Sequence, residues 1–277
     1  MKKRLVVSAI LCLTLLVIIT TFASAEGIET DQPPEVSVYI DGELANFNVP
    51  SILLNETTYV PIREFSMALG AENVLWDYGS VSVTAPNLNM NVNVGEIYFE
   101  ANGRYLYLAN GSALRNGSVM IPVRPLAEAF GAEVVWDGAL NTVYVMSGTG
   151  TIEDGISFYD DNDVYWMSRI ISAEARGESL VGKIAVGGVI MNRIASPIFP
   201  DTVYDVIFDK QYGIQFTPAY SGAIYCTPNE ECIIAAKIAL DGGNTAGNSL
   251  YFASSNNCWA ARARPFAMTI GNHYFYA

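Results

Sequence analysis

The residue best placed to do chemistry in this sequence is a glutamate. Glu174 lies seven positions after Met167, four after Ile170 and three after Ile171. On a helix it therefore shares their apolar stripe instead of the solvated face. Poor solvation and the negative end of the helix dipole both favour the protonated carboxyl. A carboxyl still protonated near neutral pH is a general acid suited to a glycosidic oxygen. The same spacing equally fits a structural glutamate paired with Arg169 or Arg176, which would stay ionised. Glu178 is four residues on, but Gly177 interrupts the helix between them. It reads as a substrate-side or structural residue instead of a second catalytic carboxylate.

Other chemistries find less support. The sequence has one histidine, His273, and no H-E-x-x-H element, so a zinc hydrolase is disfavoured and no metal or cofactor is expected. A Cys–His peptidase would need Cys226 or Cys258 as nucleophile with His273 as base. Neither cysteine sits in a recognisable nucleophile context, and His273 reads more simply as a hydrogen-bonded residue of the final strand.

The elements that must hold Glu174 follow from periodicity. Asp161, Asn162 or Asp163 can cap a helix running through Val164, Met167, Ile170 and Ile171 towards Arg176, with Gly177 at its end. Ser179 can cap a second helix, LVGKIAVGGVIMNRIAS, apolar on most sides and therefore central. Its Gly182, Gly187 and Gly188 would admit close packing. Asp201-Thr202 opens a short helix with Val203, Val206 and Ile207.

The first half is a duplication. TYVPIREFSMALGAENVLWD (58–77) recurs about 60 residues later as VMIPVRPLAEAFGAEVVWD (119–137), with Asn73 the one insertion. Pro61, Arg63, Gly70, Trp76 and Asp77 return as Pro122, Arg124, Gly131, Trp136 and Asp137. Each copy reads as a β-rich lead, a short helix ended by a left-handed glycine, and exit strands such as Val81-Ser82-Val83 and Val143-Tyr144-Val145. Arg63 and Arg124 are readable as a ligand-binding pair, but a structural pairing with Glu72 or Glu133 is favoured, and Trp76 and Trp136 read as core. The Gly- and Thr-rich SGTGTIEDGI (147–156) reads as an interdomain linker.

The N-terminus carries Lys2, Lys3 and Arg4, an apolar run from Leu5 to about Phe22, and Ala23-Ser24-Ala25. This pattern predicts a cleaved secretory signal over 1–25, the competing reading being an uncleaved membrane anchor. Cleavage would leave 28 acids against 12 bases, a formal charge of −16, which excludes nucleic acid as a natural partner. About half of the chain is apolar, so disorder is not expected. Three cysteines would remain, Cys226, Cys232 and Cys258, and their pairing is open.

Two resemblances complete the reading. The run WMSRIISAEARGESLVGKIAVGGVIMNRIASPIFPDTVYDVIF, followed by IQFTPAYSG, EECIIAAKIALDGG, SLYFAS and TIGNHYFY, resembles the SleB/CwlJ cell-wall hydrolases over about residues 164 to 276. The resemblance implies a largely helical fold related to lysozyme-like transglycosylases. It also implies cleavage between N-acetylmuramic acid and N-acetylglucosamine in peptidoglycan glycan strands, with Glu174 as catalytic acid. A lytic transglycosylase needs only one carboxyl, whereas a muramidase normally needs two. Gln215, Phe216, Tyr251 and Phe252 offer the amide and aromatic faces that suit sugars, and are expected in the cleft with Glu178. The Pro-x-Arg, Gly-Ala and Trp-Asp elements at 36–146 resemble the N-terminal, stalk-like domain of copper amine oxidases. This implies attachment or positioning, with a cell-wall or spore-coat component as partner. Copper is not implied, because this half has neither His nor mature Cys.

The expected fold is α+β in two domains: a duplicated small α+β domain at 36–146, a linker at 147–160, and at 161–277 a mainly helical, lysozyme- or transglycosylase-like domain with a small antiparallel sheet. The expected product is an exported, wall- or spore-associated enzyme. The rival is a noncatalytic wall-binding or assembly protein.

Overall fold

Proline ends a strand and begins a helix at the same place in both repeats. The structure, a computed structural model, describes residues 32–211 and 213–277. The signal expected at 1–25 lies outside the described residues. Pro34–Ala277 form one compact unit. In the first repeat β1 (Ser37–Ile40), β2 (Glu43–Leu44), β3 (Ile52–Leu54) and β4 (Thr57–Pro61) lead into α1 (Ile62–Ala68), followed by β5 (Asn73–Asp77) and β6 (Ser80–Ala85). Strands β7 (Leu88–Asn93), β8 (Tyr98–Ala101) and β9 (Arg104–Tyr107) extend that sheet. The second repeat adds β10 (Ala113–Arg115), β11 (Ser118–Pro122), α2 (Val123–Ala129), β12 (Glu133–Asp137) and β13 (Thr142–Met146).

Pro61 and Pro122 lack the N–H that would carry their strands further, and their fixed φ suits a helix entrance. Gly70 and Gly131, at φ +93° and +67°, end the two helices as expected. β4 and β11 pair antiparallel with Tyr59 opposite Pro122 and Pro61 opposite Met120, so the repeats meet about a local two-fold in the middle of one ladder. Val60, Phe65, Ile121 and Leu126 fill a shared core.

Two expectations for this half are corrected. Trp76 and Trp136 are 52% and 38% exposed. Each follows a more buried valine on the same face of an edge strand, β5 or β12, but lies beyond the rim of the core. Arg63 and Arg124 are both exposed and pair with neither Glu72 nor Glu133. Arg124 donates through Nη1 to the Val134 carbonyl at 3.1 Å.

The Gly- and Thr-rich segment does not behave as its composition suggests. Thr151 donates to the Asn87 carbonyl at 3.0 Å, and Ile152 is buried in the first core. Asp154 caps the short α3 (Gly155–Phe158). Asp160, one residue earlier than expected, caps α4 (Asp161–Ala175) by accepting from the Asn162 and Asp163 amides at 2.8 and 3.2 Å.

Helices α5 (Leu180–Ile194), α6 (Val203–Phe208), α7 (Pro218–Ser221) and α8 (Glu230–Leu240) complete the helical part. Strand β14 (Tyr251–Ala253), helix α9 (Trp259–Ala263) and strands β15 (Phe266–Ile270) and β16 (His273–Tyr276) follow, with a small antiparallel sheet ordered β14-β16-β15. Ser179 caps α5 as expected. α5 is buried on most sides, and a Cβ at Gly187 would come within 2.7 Å of the Ala239 Cβ on α8. Cys226, Cys232 and Cys258 are free thiols. Among the described residues no helix is long and apolar enough to cross a membrane.

One ion pair joins the β-rich and helical parts. Arg104 of β9 grips Asp241, just after α8, in a two-pronged contact at 3.0 and 2.5 Å. The Tyr159 hydroxyl donates to the same carboxylate at 2.7 Å and accepts from the Tyr105 amide at 3.0 Å. The Phe158 ring lies 3.6 Å from the Arg104 guanidinium. The Asp241 side chain is 0% exposed, so these partners stand in for the water it lacks. Arg104→Met should lower the unfolding free energy by about 3–5 kcal/mol in urea titrations. Arg104→Met with Asp241→Leu should recover most of that loss, because no charge is then left buried alone.

Candidate active site

Helix α4 delivers the Glu174 carboxyl to a cavity of about 440 Å³. The stripe foreseen from spacing is real: Met167, Ile170 and Ile171 are fully buried against α5 and α8. Glu174 sits at the end of that stripe, where the core opens onto the cavity. Burial alone pushes its pKa up to about 7. The alternative ion pairs do not form. Arg176 donates to Ser172 Oγ at 3.1 Å and the Thr227 carbonyl at 2.9 Å, and Arg169 lies over the Tyr165 ring at 4.0 Å.

Gln215, Phe216 and Phe252 line the same cavity as Glu174. Phe216 is buried and acts as wall beneath the opening. Tyr251 lines an adjoining cavity of about 660 Å³ that shares Arg193, Gln215, Phe252 and Ala253 with the first. Its hydroxyl accepts from Arg264 at 3.1 Å, and both Arg193 and Arg264 lie over its ring. Glu178 is not part of either lining. Its carboxylate accepts from the Asn272 amide at 3.2 Å and from Asn272 Nδ2 at 2.8 Å. The Asn272 side chain holds its pKa below the ordinary range. A Cβ on Gly271 would strike this carboxylate, so Glu178 clasps the β15–β16 turn. Among the described residues Glu174 is the single carboxylate lining the two cavities.

Three further residues line the cavities, and the sequence reading placed none of them in the cleft. Arg193, near the end of α5, is buried and donates through Nε to the Leu250 carbonyl at 2.7 Å. Its Nη1 has no partner among the described residues, and burial lowers its pKa to about 10. It is an arginine in a buried apolar helix, so the reasoning used for Glu174 could have found it. His273 starts β16 with its ring 5.3 Å from Phe252. Its Nδ1 is buried without a partner, contrary to the hydrogen-bonded residue expected. Burial pulls its pKa down against the pull of Glu178, so it is neutral near pH 7. Trp259, exposed at the edge of the larger cavity, offers an open aromatic face that no periodicity announced. Neither Cys226 nor Cys258 is hydrogen-bonded to His273, and among the described residues no group of three or more His, Cys, Asp or Glu could hold a metal ion.

A half-buried, unpaired carboxyl in a cleft with amide, cationic and aromatic walls suits proton transfer to a neutral, oxygen-rich substrate. Residues 177–276 match the family described as Cell Wall Hydrolase. The C-terminal part is a cell wall hydrolase domain. Glu174 lies three residues before the matched span. Residues 39–145 match the Copper amine oxidase N-terminal domain, and form the β-rich domain of the chain. A spore cortex-lytic enzyme of Halalkalibacterium halodurans is 41% identical over 122 residues, 42% of this chain and 35% of that protein. Its namesake from Bacillus cereus is 39% identical over the same length, 45% of that protein. The chain thus spans less than half the length of these curated relatives. Among solved structures, the catalytic domain of the germination-specific lytic transglycosylase SleB from Bacillus anthracis is 36% identical. It is covered fully by 46% of this chain, with a TM-score of 0.39.

The raised pKa of Glu174 has a measurable signature. Between the ordinary glutamate value of 4.5 and about 7, the folded state holds a proton that the unfolded state has released, so stability falls as pH rises through that window. Glu174→Gln should match the parent in thermal unfolding near pH 4.5 and exceed it above pH 7.

Proposed function

We propose that this chain cleaves peptidoglycan glycan strands at the bond between N-acetylmuramic acid and N-acetylglucosamine, as a lytic transglycosylase with Glu174 as sole acid and base. The observation that carries the proposal is the Glu174 carboxyl, its pKa lifted by burial to about 7, at the wall of a cleft that among the described residues holds no second carboxylate. In the first step the carboxyl proton passes to the glycosidic oxygen as the bond to the muramic C1 breaks. In the second, the resulting carboxylate takes the proton of the muramic 6-hydroxyl while that oxygen closes on C1. Atoms balance without water, so the missing base is no defect; a hydrolase would place a second carboxylate about 5 Å away or farther.

In this reading Gln215 and the unpartnered Arg193 Nη1 donate to sugar and acyl oxygens, while Trp259 and Phe252 offer apolar faces to pyranose C–H surfaces. The spore cortex-lytic relatives support a wall or cortex substrate and an exported, wall- or spore-associated setting, with domains at 36–146 and 161–277 joined by the packed segment 147–160. The β-rich domain then attaches the enzyme to its polymer or to a neighbouring wall or coat component.

Purified chain should release soluble fragments from insoluble peptidoglycan, and mass spectrometry should find 1,6-anhydromuramic ends on them. Reducing ends instead would make the enzyme a muramidase. Glu174→Gln should cut the rate at least about 10³-fold while the protein stays folded; undiminished lysis would remove Glu174 from the mechanism, and a parent that binds but never cleaves would be an adhesive protein. Activity of the parent should fall as pH rises through about 7, where the acid loses its proton.

A further inference from the structure

The β-rich domain carries two grooves whose arginine, tryptophan and flanking-strand residues correspond through the local two-fold. One, of about 320 Å³, sets Arg63, Val74 and Trp76 against Ser118 and Val119 of the other repeat. Its counterpart, of about 310 Å³, sets Arg124, Val134 and Trp136 against Thr57 and Thr58. Each groove is thus built from the Arg–Trp pair of one repeat and the central strand of the other, β11 or β4.

Neither indole is packed into the core, and of the two arginines only Arg124 makes a hydrogen bond within the domain. Both indoles stand on edge strands with large exposed areas, a position where a polar residue would cost less and would discourage aggregation. Arg63 has no hydrogen-bond or ionic partner among the described residues. The nearby Glu64 is held by the Asn48 amide at 3.1 Å and by Asn48 Nδ2 at 2.7 Å. Arg124 spends one N–H on a carbonyl and keeps the rest of its fork. Folding needs neither the exposed indoles nor the donors that both guanidinium groups leave unused.

We propose that these grooves are two equivalent saccharide sites, each seating one pyranose ring of a peptidoglycan glycan strand. The apolar C–H face of the ring lies on the indole, and the arginine donates to its hydroxyl, acetamido or lactyl oxygens. An uncharged backbone is the occupant that the surroundings allow, since the chain is strongly acidic and would repel a polyanion. The choice of peptidoglycan among saccharides rests on the function proposed above; the grooves themselves do not depend on Glu174.

The test uses the full chain with Glu174→Gln, so that the ligand is not consumed, and measures binding to insoluble peptidoglycan by sedimentation and to soluble glycan fragments by calorimetry. Trp76→Ala and Trp136→Ala should each remove one of two equivalent sites and weaken sedimentation about tenfold. The double variant should lose both sites and fall about a hundredfold, because binding to a continuous polymer is multivalent. Trp76→Phe should retain the site, and Ile156→Ala, exposed on α3 away from both grooves, should bind like its parent. A folded double variant that binds as tightly as its parent overturns the proposal, even if the wild-type chain cleaves the wall. Loss of two sites in a protein whose wild-type form releases no fragments upholds the grooves and defeats the catalytic reading instead.

Discussion

An aspartate shut off from solvent sets the terms for the whole molecule. Asp241 is met in the interior by Arg104 and Tyr159, and those partners come from the β-rich half and the connecting segment. The hairpin β8–β9 is thereby seated on α8, where Tyr98, Tyr105 and Tyr107 pack against the helical core. α8 in turn packs against α4 and α5, the helices that carry Glu174 and Arg193 to the cleft. The β-rich domain and helix α4 are linked through a short series of buried contacts. What composition suggests is a flexible tether is a packed joint.

The cleft works by what its walls withhold. Glu174 receives no hydrogen bond and no counter-ion from the described residues, so desolvation acts unopposed and lifts its pKa. Glu178, four residues later, meets the opposite treatment: the Asn272 donors keep it ionised and tie it to a turn. Two carboxylates of the same kind, four residues apart in the chain, are thus driven in opposite directions by the presence or absence of donors.

Local signals were readable in the chain itself. The duplication, the glycines that end α1 and α2, the Ser179 cap and the apolar stripe under Glu174 all depend on neighbours within a turn or a strand. Contacts between distant positions were not. Arg104 and Asp241 are 137 residues apart, and nothing in the spacing of either announces the other. The outward turn of Trp76 and Trp136 reflects where the core ends, which two-residue alternation cannot reveal. Trp259 and His273 join the cleft through the folding of the last sheet, so their neighbours exist only in three dimensions. Asp160 displaced the expected caps because its predecessor Tyr159 is pinned by Asp241, and the helix begins where that anchor releases the chain.

The first and last strands of the β-rich domain, β1 and β13, lie side by side and parallel, from Ser37 beside Thr142 to Ile40 beside Val145. The chain enters the pair at one end and leaves it at the other. Tension applied between the N-terminal side of Ser37 and the helical part would therefore act along the strands and load their hydrogen bonds together, in shear, instead of peeling them one at a time. A protein held at one end and drawn at the other by a polymer it grips would meet its greatest mechanical resistance at this pair, and the duplicated domain would act as a clasp under load.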